Sequence, residues 1–333
     1  MVVTGGRSSM QATDQLRRAT AAFNAMGVLP NDGVEFIRTI PSVAMPLHLA
    51  LDASPNCVVD TSGKPLAFLK LYEPEALPFV DFSTAAVASR QAADLQLAPA
   101  LLGYDAAAGA MLFDWLAPED WRMAVREDLD RDETLGAIIG AKKSYHGSQA
   151  LPRTRGPFDR IDEYLDVMAK TRGADGAPLS DARRVLELAP WVARIEQAFA
   201  AAGSDVGPTH GENTLSNVML DGANRVRLVD FDRSENADPL YDLASFCVEF
   251  CSFREDVDRA VSLYLGAHRP DVAARVSLHM IVDDFLWGCW AMIQHFTSPR
   301  SGSVEFYKLA QNRFLRSKYW LTRWDVATLM RSI

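Results

Sequence analysis

Leu16, Ala19, Phe23 and Met26 stand close to one face of a helical period, which predicts a helix over residues 11–26. Residues 1–10, rich in Gly and Ser, read as disordered. Two strands are predicted next, over 56–60 and 66–72, with a hairpin turn at Thr61-Ser62-Gly63-Lys64 between them. A helix follows over 83–97, stopped by Ala98-Pro99, and then a second hairpin over 101–104 and 110–115. From Pro118 onward the pattern is mainly helical, broken at 151–157 and 173–178 and by two short strands, Val218-Met219-Leu220 and Val226-Arg227-Leu228-Val229, around Asp221-Gly222. Strands gathered in front and helices behind predict an α+β protein of two lobes, residues 1–116 and 117–333.

The densest chemistry lies between Thr209 and Leu243. His210-Gly211-Glu212, followed by Asn217, has the spacing of a kinase catalytic loop, in which a carboxylate takes or orients a hydroxyl proton and an amide oxygen holds a metal. The hairpin after it delivers Asp230. ATP needs divalent metal to neutralise its phosphates, and Mg2+ prefers oxygen ligands, so Asn217 and Asp230 are candidate Mg2+ ligands and Glu212 the candidate base. Asp238-Pro239 opens a helix whose Asp242 is placed to brace the catalytic loop by accepting backbone hydrogen bonds. His146, ending an earlier helix, is assigned a packing role. In Leu66-Ala67-Phe68-Leu69-Lys70-Leu71-Tyr72 the one charge is Lys70, and an ammonium among apolar neighbours calls for an anion such as the α- and β-phosphates. Phe113, Asp114, Trp115 and Leu116, where the chain leaves the sheet, are by position the candidates to meet an adenine edge.

A formal net charge of −9 over 333 residues argues against nucleic acid as a partner, because phosphate backbones demand a concentrated basic face. It suits a cationic small molecule better. Cys57, Cys247, Cys251 and Cys289 lack metal-site spacing and read as reduced core residues. Neither a signal peptide nor a membrane-spanning apolar run is expected, which predicts a cytoplasmic protein.

These motifs resemble those of the aminoglycoside phosphotransferase and choline kinase superfamily. The match rests on His210-Gly211-Glu212 through Asn217, on Asp230-Phe231-Asp232 and on Tyr241-Asp242-Leu243-Ala244. The resemblance implies a protein-kinase-like pair of lobes, with His210 and Asp242 as structural support for the catalytic loop. Phe285-Leu286-Trp287-Gly288-Cys289-Trp290 and Ala310-Gln311-Asn312-Arg313-Phe314 are most similar to the tail of choline and ethanolamine kinases. That similarity implies a cation box of Trp287, Trp290 and Tyr307 with the carboxylates of Asp232 and Glu249, since ring faces attract a desolvated quaternary ammonium. The acceptor so implied is a small amino alcohol; the alternatives are another acceptor such as an aminoglycoside or a sugar, or a catalytically weak or inactive relative that binds nucleotide or a small ligand and serves regulation.

Three features depart from the family. Glu212 stands where it has Asp; the stretch PSVAMPLHLALDASPN, residues 41–56, has no glycine where a phosphate loop is expected; and the helix over 83–97 lacks a glutamate to pair with Lys70. Asp81 and Asp94 are the candidate substitutes.

Overall fold

The computed structural model describes residues 5–30, 33–39, 50–212 and 214–333, with side chains from residue 14 onward. Helix α1 spans Gly5–Met26 and strand β1 Glu35–Arg38; β2, Ala53–Val59, and β3, Pro65–Tyr72, form the first predicted hairpin. Helix α2 follows at Phe82–Asp94, then the hairpin of β4, Leu101–Asp105, and β5, Ala110–Asp114. These strands make one antiparallel sheet in the order β1-β2-β3-β5-β4. α1 starts upstream of the expected residue 11 because extending a nucleated helix is far easier than starting one. The stretch expected to hold a phosphate loop falls largely on residues 41–49, outside the described residues.

The two-residue period of β3 sorts its side chains. Ala67, Leu69 and Leu71 pack with Ala19, Ala22 and Phe23 of α1, while Phe68, Lys70 and Tyr72 line the opposite, cleft-facing side. Asp81 caps α2 by accepting from the Thr84 N–H at 3.1 Å. The helix closes three residues early, at Asp94: Gln96 is left-handed (φ 61) and the Leu97 N–H reaches back to the Ala92 carbonyl at 2.8 Å.

The remainder is built on helices α3, Asp132–His146; α4, Pro157–Lys170; and α5, Arg183–Ala202. Between α2 and α3, strand β6, Trp121–Met123, was not expected; three residues are too few to show a period. Past α5 come β7, Gly207–Thr209; β8, Val218–Asp221; β9, Val226–Leu228; and β10, Glu235–Ala237. β6, β8 and β9 form one antiparallel sheet and β7 pairs with β10. Helices α6, Pro239–Cys247; α7, Arg254–Leu265; α8, Pro270–Thr297; α9, Phe306–Arg323; and α10, Val326–Arg331 complete the chain.

α8 corrects one expectation, for it is long and apolar enough to cross a membrane, with a window of mean hydropathy 1.3. That window is wholly buried inside the protein, and α4, α5, α6, α7, α9 and α10 surround it, so a helix walled in on all sides is apolar on all sides. Its Gly288 admits α9 closely: a Cβ there would lie 2.5 Å from the Phe314 ring. Asp284, also on α8, is buried and accepts from Arg313 at 3.1 Å and from the Trp320 indole at 3.2 Å.

Candidate active site

Three stretches distant in sequence converge on one ammonium. Lys70 Nζ lies 2.5 Å from Asp230 Oδ1, 2.9 Å from Asp232 Oδ2 and 3.9 Å from Asp52 Oδ1. It also sits over the Tyr72 ring, 4.5 Å from the centroid. Arg233 adds a second buried cation, 3.6 Å from Asp52 and 3.9 Å from Asp232, while its Nη1 donates to the Phe79 carbonyl at 2.7 Å. Asp230 is held at φ 74, a strained conformation for a residue with a side chain.

Burial and mutual repulsion separate the acids. Burial pushes the Glu212 carboxyl up to about 8, helped by the negative Asp232 and Asp52 and opposed by Arg233 and Lys70. Burial likewise raises Asp230 well above the usual carboxylate range, with Asp232 adding to the effect and Lys70 opposing it. Burial raises Asp232 too, but Lys70 and Arg233 outweigh it and hold that group at about 2. Lys70 itself is pushed up: burial disfavours its charge, and Asp230, Asp232 and Asp52 more than compensate. Asp52, Asp230 and Asp232 bring oxygens within 4.8 Å of one another, a hard-oxygen donor set of the kind a divalent cation takes.

The loop that carries Glu212 is pinned from both sides. Gly211 N–H donates to Asp242 Oδ1 at 2.8 Å, and Asp242 Oδ2 is 3.0 Å from His146 Nε2. His146 Nδ1 in turn lies 2.9 Å from the Tyr264 hydroxyl, so the imidazole links two helices to the loop's brace as well as packing. Asp242 is fully buried, yet Lys142 and His146 outweigh the burial and hold it far below its ordinary range. His210 Nε2 is 2.8 Å from the Val229 carbonyl and its ring meets Phe231 edge-on, tying the loop to the turn that presents Asp230. Asn217 Nδ2 donates to the Glu212 carbonyl at 3.3 Å and the Val229 N–H to the Asn217 carbonyl at 3.0 Å.

A cleft of about 510 Å³ opens beside these groups. Lys70, Asn217 and Asp230 line it, as do all four candidate adenine contacts, Phe113, Asp114, Trp115 and Leu116. The proposed cation-box residues are distributed differently. Trp287 and Trp290 are buried on α8 and pack edge to face at 5.5 Å, and Trp290 also meets Phe306 at 5.9 Å. Asp232 is engaged by Lys70. Glu249 accepts from the Leu215 N–H at 3.4 Å, lies 3.8 Å from Arg313, and lines a separate groove with Arg126, Arg316, Tyr319 and Trp320. Tyr307 is half exposed, against His295 at 5.2 Å.

The family model of the phosphotransferase enzyme family matches residues 49–275. The chain belongs to that family. The phosphotransferase has no match among curated protein sequences, but solved structures share its fold. A choline/ethanolamine kinase family protein from Mesorhizobium loti superposes with a TM-score of 0.72 at 21% identity, covering 96% of this chain and 98% of that one. Choline kinase LicA from Streptococcus pneumoniae gives 0.67 at 17%, covering 81% and 90%. An aminoglycoside-3'-phosphotransferase of type VIII gives 0.51 at 18%, covering 80% and 98%. The mixed architecture of this phosphotransferase, an antiparallel sheet followed by helices, is the kinase-like one expected.

The acids nominated to pair with Lys70 do not do so. Asp81 is committed to capping α2 and Asp94 is exposed at its far end; Lys70 turns instead to Asp230, Asp232 and Asp52. Asp52 and Arg233 were missed because a lone acid before a strand, or a lone base after a motif, carries no periodic signal. Trp121, Arg122 and Met123 of β6 also line the cleft, and were hidden with their strand.

Proposed function

We propose that this phosphotransferase moves the γ-phosphate of ATP, with Mg2+, to the hydroxyl of a small, cationic amino alcohol. The observation that carries the reading is the meeting of Lys70 and Asp230, 160 residues apart in sequence, at 2.5 Å beside a cleft that Asn217 also lines. When bound, magnesium nucleotide supplies the phosphoryl group and the cation that offsets its charge; Asp230 and Asn217 offer oxygen ligands of the matching kind. Three carboxyl groups, Asp52, Asp230 and Asp232, face the two cations Lys70 and Arg233, and a metal cation bound there would favour the ionised form of Asp230, which burial and the charge of Asp232 otherwise hold above its usual range. Lys70 is the phosphate clamp and residues 113–116 meet the adenine.

Glu212 orients the acceptor hydroxyl and, in its ionised form, takes its proton as the new oxygen–phosphorus bond forms and the γ-phosphorus bond to the oxygen that leaves with ADP breaks. Proximity does most of the work, since a loose transition state asks chiefly for alignment of the attacking oxygen. We take Trp287 and Trp290, packed together on α8, as the aromatic elements for the acceptor, with Asp232, which Lys70 engages, and with Glu249 and Tyr307, neither of which lines the cleft. Support for an amino alcohol comes from the formal charge of −9, from the tail motif, and from neighbours of the same fold named as choline kinases. We draw the lobe boundary after Leu116, just beyond the end of the five-stranded sheet. Four free, buried cysteines are in keeping with a reducing cytoplasm.

A weakly active regulatory relative is the second reading, favoured by a Glu212 carboxyl that holds its proton up to about pH 8. The deciding experiment is ADP release from magnesium ATP across choline, ethanolamine, other amino alcohols, aminoglycosides and sugars, with Asp230→Ala as the blank. Turnover that depends on an amino alcohol and vanishes in the blank supports the first reading. Preference for a sugar or aminoglycoside moves the acceptor class, and silence together with tight nucleotide binding supports the second.

A further inference from the structure

Helix α2 turns Ala85, Ala86, Ala88 and Ser89 inward, so it has no acid to hold the strand lysine. Asp52, just ahead of β2, is buried at 8% exposure and points its two oxygens at two cations: Oδ1 is 3.9 Å from Lys70 Nζ and Oδ2 3.6 Å from Arg233 Nη2. Its backbone is fixed as well, the Asp52 carbonyl accepting from the Glu73 N–H at 2.8 Å.

The residue before it is gripped from the far end of the chain. Arg300, buried at 7% exposure beyond α8, donates through Nη2 to the Leu51 carbonyl and through Nε to Glu75 at 2.8 Å. Ser298 donates to the same Glu75 at 2.6 Å, and Glu73 lies 3.9 Å from Arg300 Nη1. A guanidinium fork that satisfies a carboxylate and a carbonyl at once fixes both in space. The links run from Arg300 to Leu51, from Leu51 to Asp52, and from Asp52 to Lys70.

We propose that Asp52 is a positioning residue for Lys70, supplying from the strand edge the carboxylate that α2 lacks, and that Arg300 sets its place through the Leu51 carbonyl. The inference rests on the reading that the cleft binds magnesium nucleotide. Under that reading Asp230 is a metal ligand and is lost to Lys70 as a dedicated partner, whereas Asp232 at 2.9 Å and Asp52 at 3.9 Å keep their contacts, and Asp52 is the one of the two that the sheet carrying Lys70 itself positions to aim the ammonium at the phosphates. A carboxylate near a phosphate site also repels phosphate, so the sign of the effect is a genuine test.

The experiment is titration calorimetry of magnesium ADP into the full-length protein and its variants, with thermal melts of each in the absence of nucleotide. Asp52→Asn is expected to weaken binding about tenfold, a fraction of the direct charge attraction at this distance. Asp52→Glu is expected to recover part of the loss. Arg300→Met is expected to weaken binding to a similar degree, and the double variant to be no worse than the weaker single, since both act on one link. Unchanged or tighter binding by Asp52→Asn overturns the proposal and assigns Asp52 to repulsion alone. If Asp52→Asn or Arg300→Met does not fold, Arg300→Lys carries the test: it keeps the charge but not the fork, so several-fold weaker binding supports the proposal and wild-type binding overturns it. A wild-type protein that binds no magnesium ADP contradicts the proposed function itself, a result distinct from wild-type binding that Asp52→Asn leaves untouched.

Discussion

Gly211 offers the sharpest single perturbation of the catalytic loop. Its φ of 84 is a conformation that side chains rarely adopt, and a Cβ built there lies 2.2 Å from the Arg233 carbonyl oxygen and 2.7 Å from its carbon. Ordinary van der Waals contact begins at 3.4 Å, so Gly211→Ala forces the loop and the backbone after Asp230 apart by about 1 Å, and neither side is a flexible side-chain tip that can swing away. The loop is also held by Asp242 through the Gly211 N–H, which resists the shift. Backbone strain and the clash together are expected to destabilise the fold by about 2–3 kcal/mol. Displacing Glu212 by about 1 Å relative to Asp230 is expected to lower the turnover rate about a hundredfold. The assay is kcat for ADP release with the best acceptor of the panel, alongside urea unfolding. Gly222→Ala is the control, because its Cβ meets nothing within 4 Å. A Gly211→Ala enzyme with kcat within threefold of wild type would refute the claim that this close approach sets the site geometry.

Asp230→Ala should abolish acceptor-dependent ADP release, whereas Glu212→Asp should retain or raise it; a steep loss in Glu212→Asp would show a site built around the longer acid. Trp287→Ala should raise KM for a quaternary amine far more than for ATP if the aromatic pair contacts the acceptor, and equal effects on both would point to a collapsed core. Asp283, which accepts from the Tyr241 hydroxyl at 3.0 Å, is pushed up to about 6 by burial, with Arg313 opposing and Asp284 adding to the rise. The folded protein therefore keeps a proton that the unfolded chain releases near pH 4, so this group's effect on stability is most favourable below pH 4 and worsens by about 3 kcal/mol as pH rises to 6. Denaturant midpoints compared between wild type and Asp283→Asn across that window check it, and parallel curves would contradict the assignment.

Much of the architecture was legible along the chain. The apolar run at 66–72 beside the turn residues 61–64 named the strand and singled out Lys70 as its one charge; the structure then places Lys70 on the face opposite Leu69 and Leu71. The turn residues around Asp221 and the cap at Asp238 located the hairpin and helix flanking Asp230, with Asp221 accepting from the Ala223 and Arg225 N–H groups and Asp238 from that of Leu240. Glu212 and Asn217 are joined by a bond from the Asn217 side-chain amide to the Glu212 carbonyl. Such signals are local: they arise from repeat periods and turn chemistry within a few residues.

Tertiary structure decided the rest. No pattern in 83–97 or 41–56 tells which acid will reach Lys70, because Asp52, Asp230 and Asp232 arrive by folding of segments that share no period with it. β6 exists only because β8 offers it an edge, and three residues carry no alternation of their own. α8 reads as a membrane candidate by composition and becomes a core helix only when its neighbours close around it. Periodicity records what a segment will bury; which distant side chains meet, and which charges they raise or hold down, depends on three-dimensional closure and on the desolvation that closure imposes.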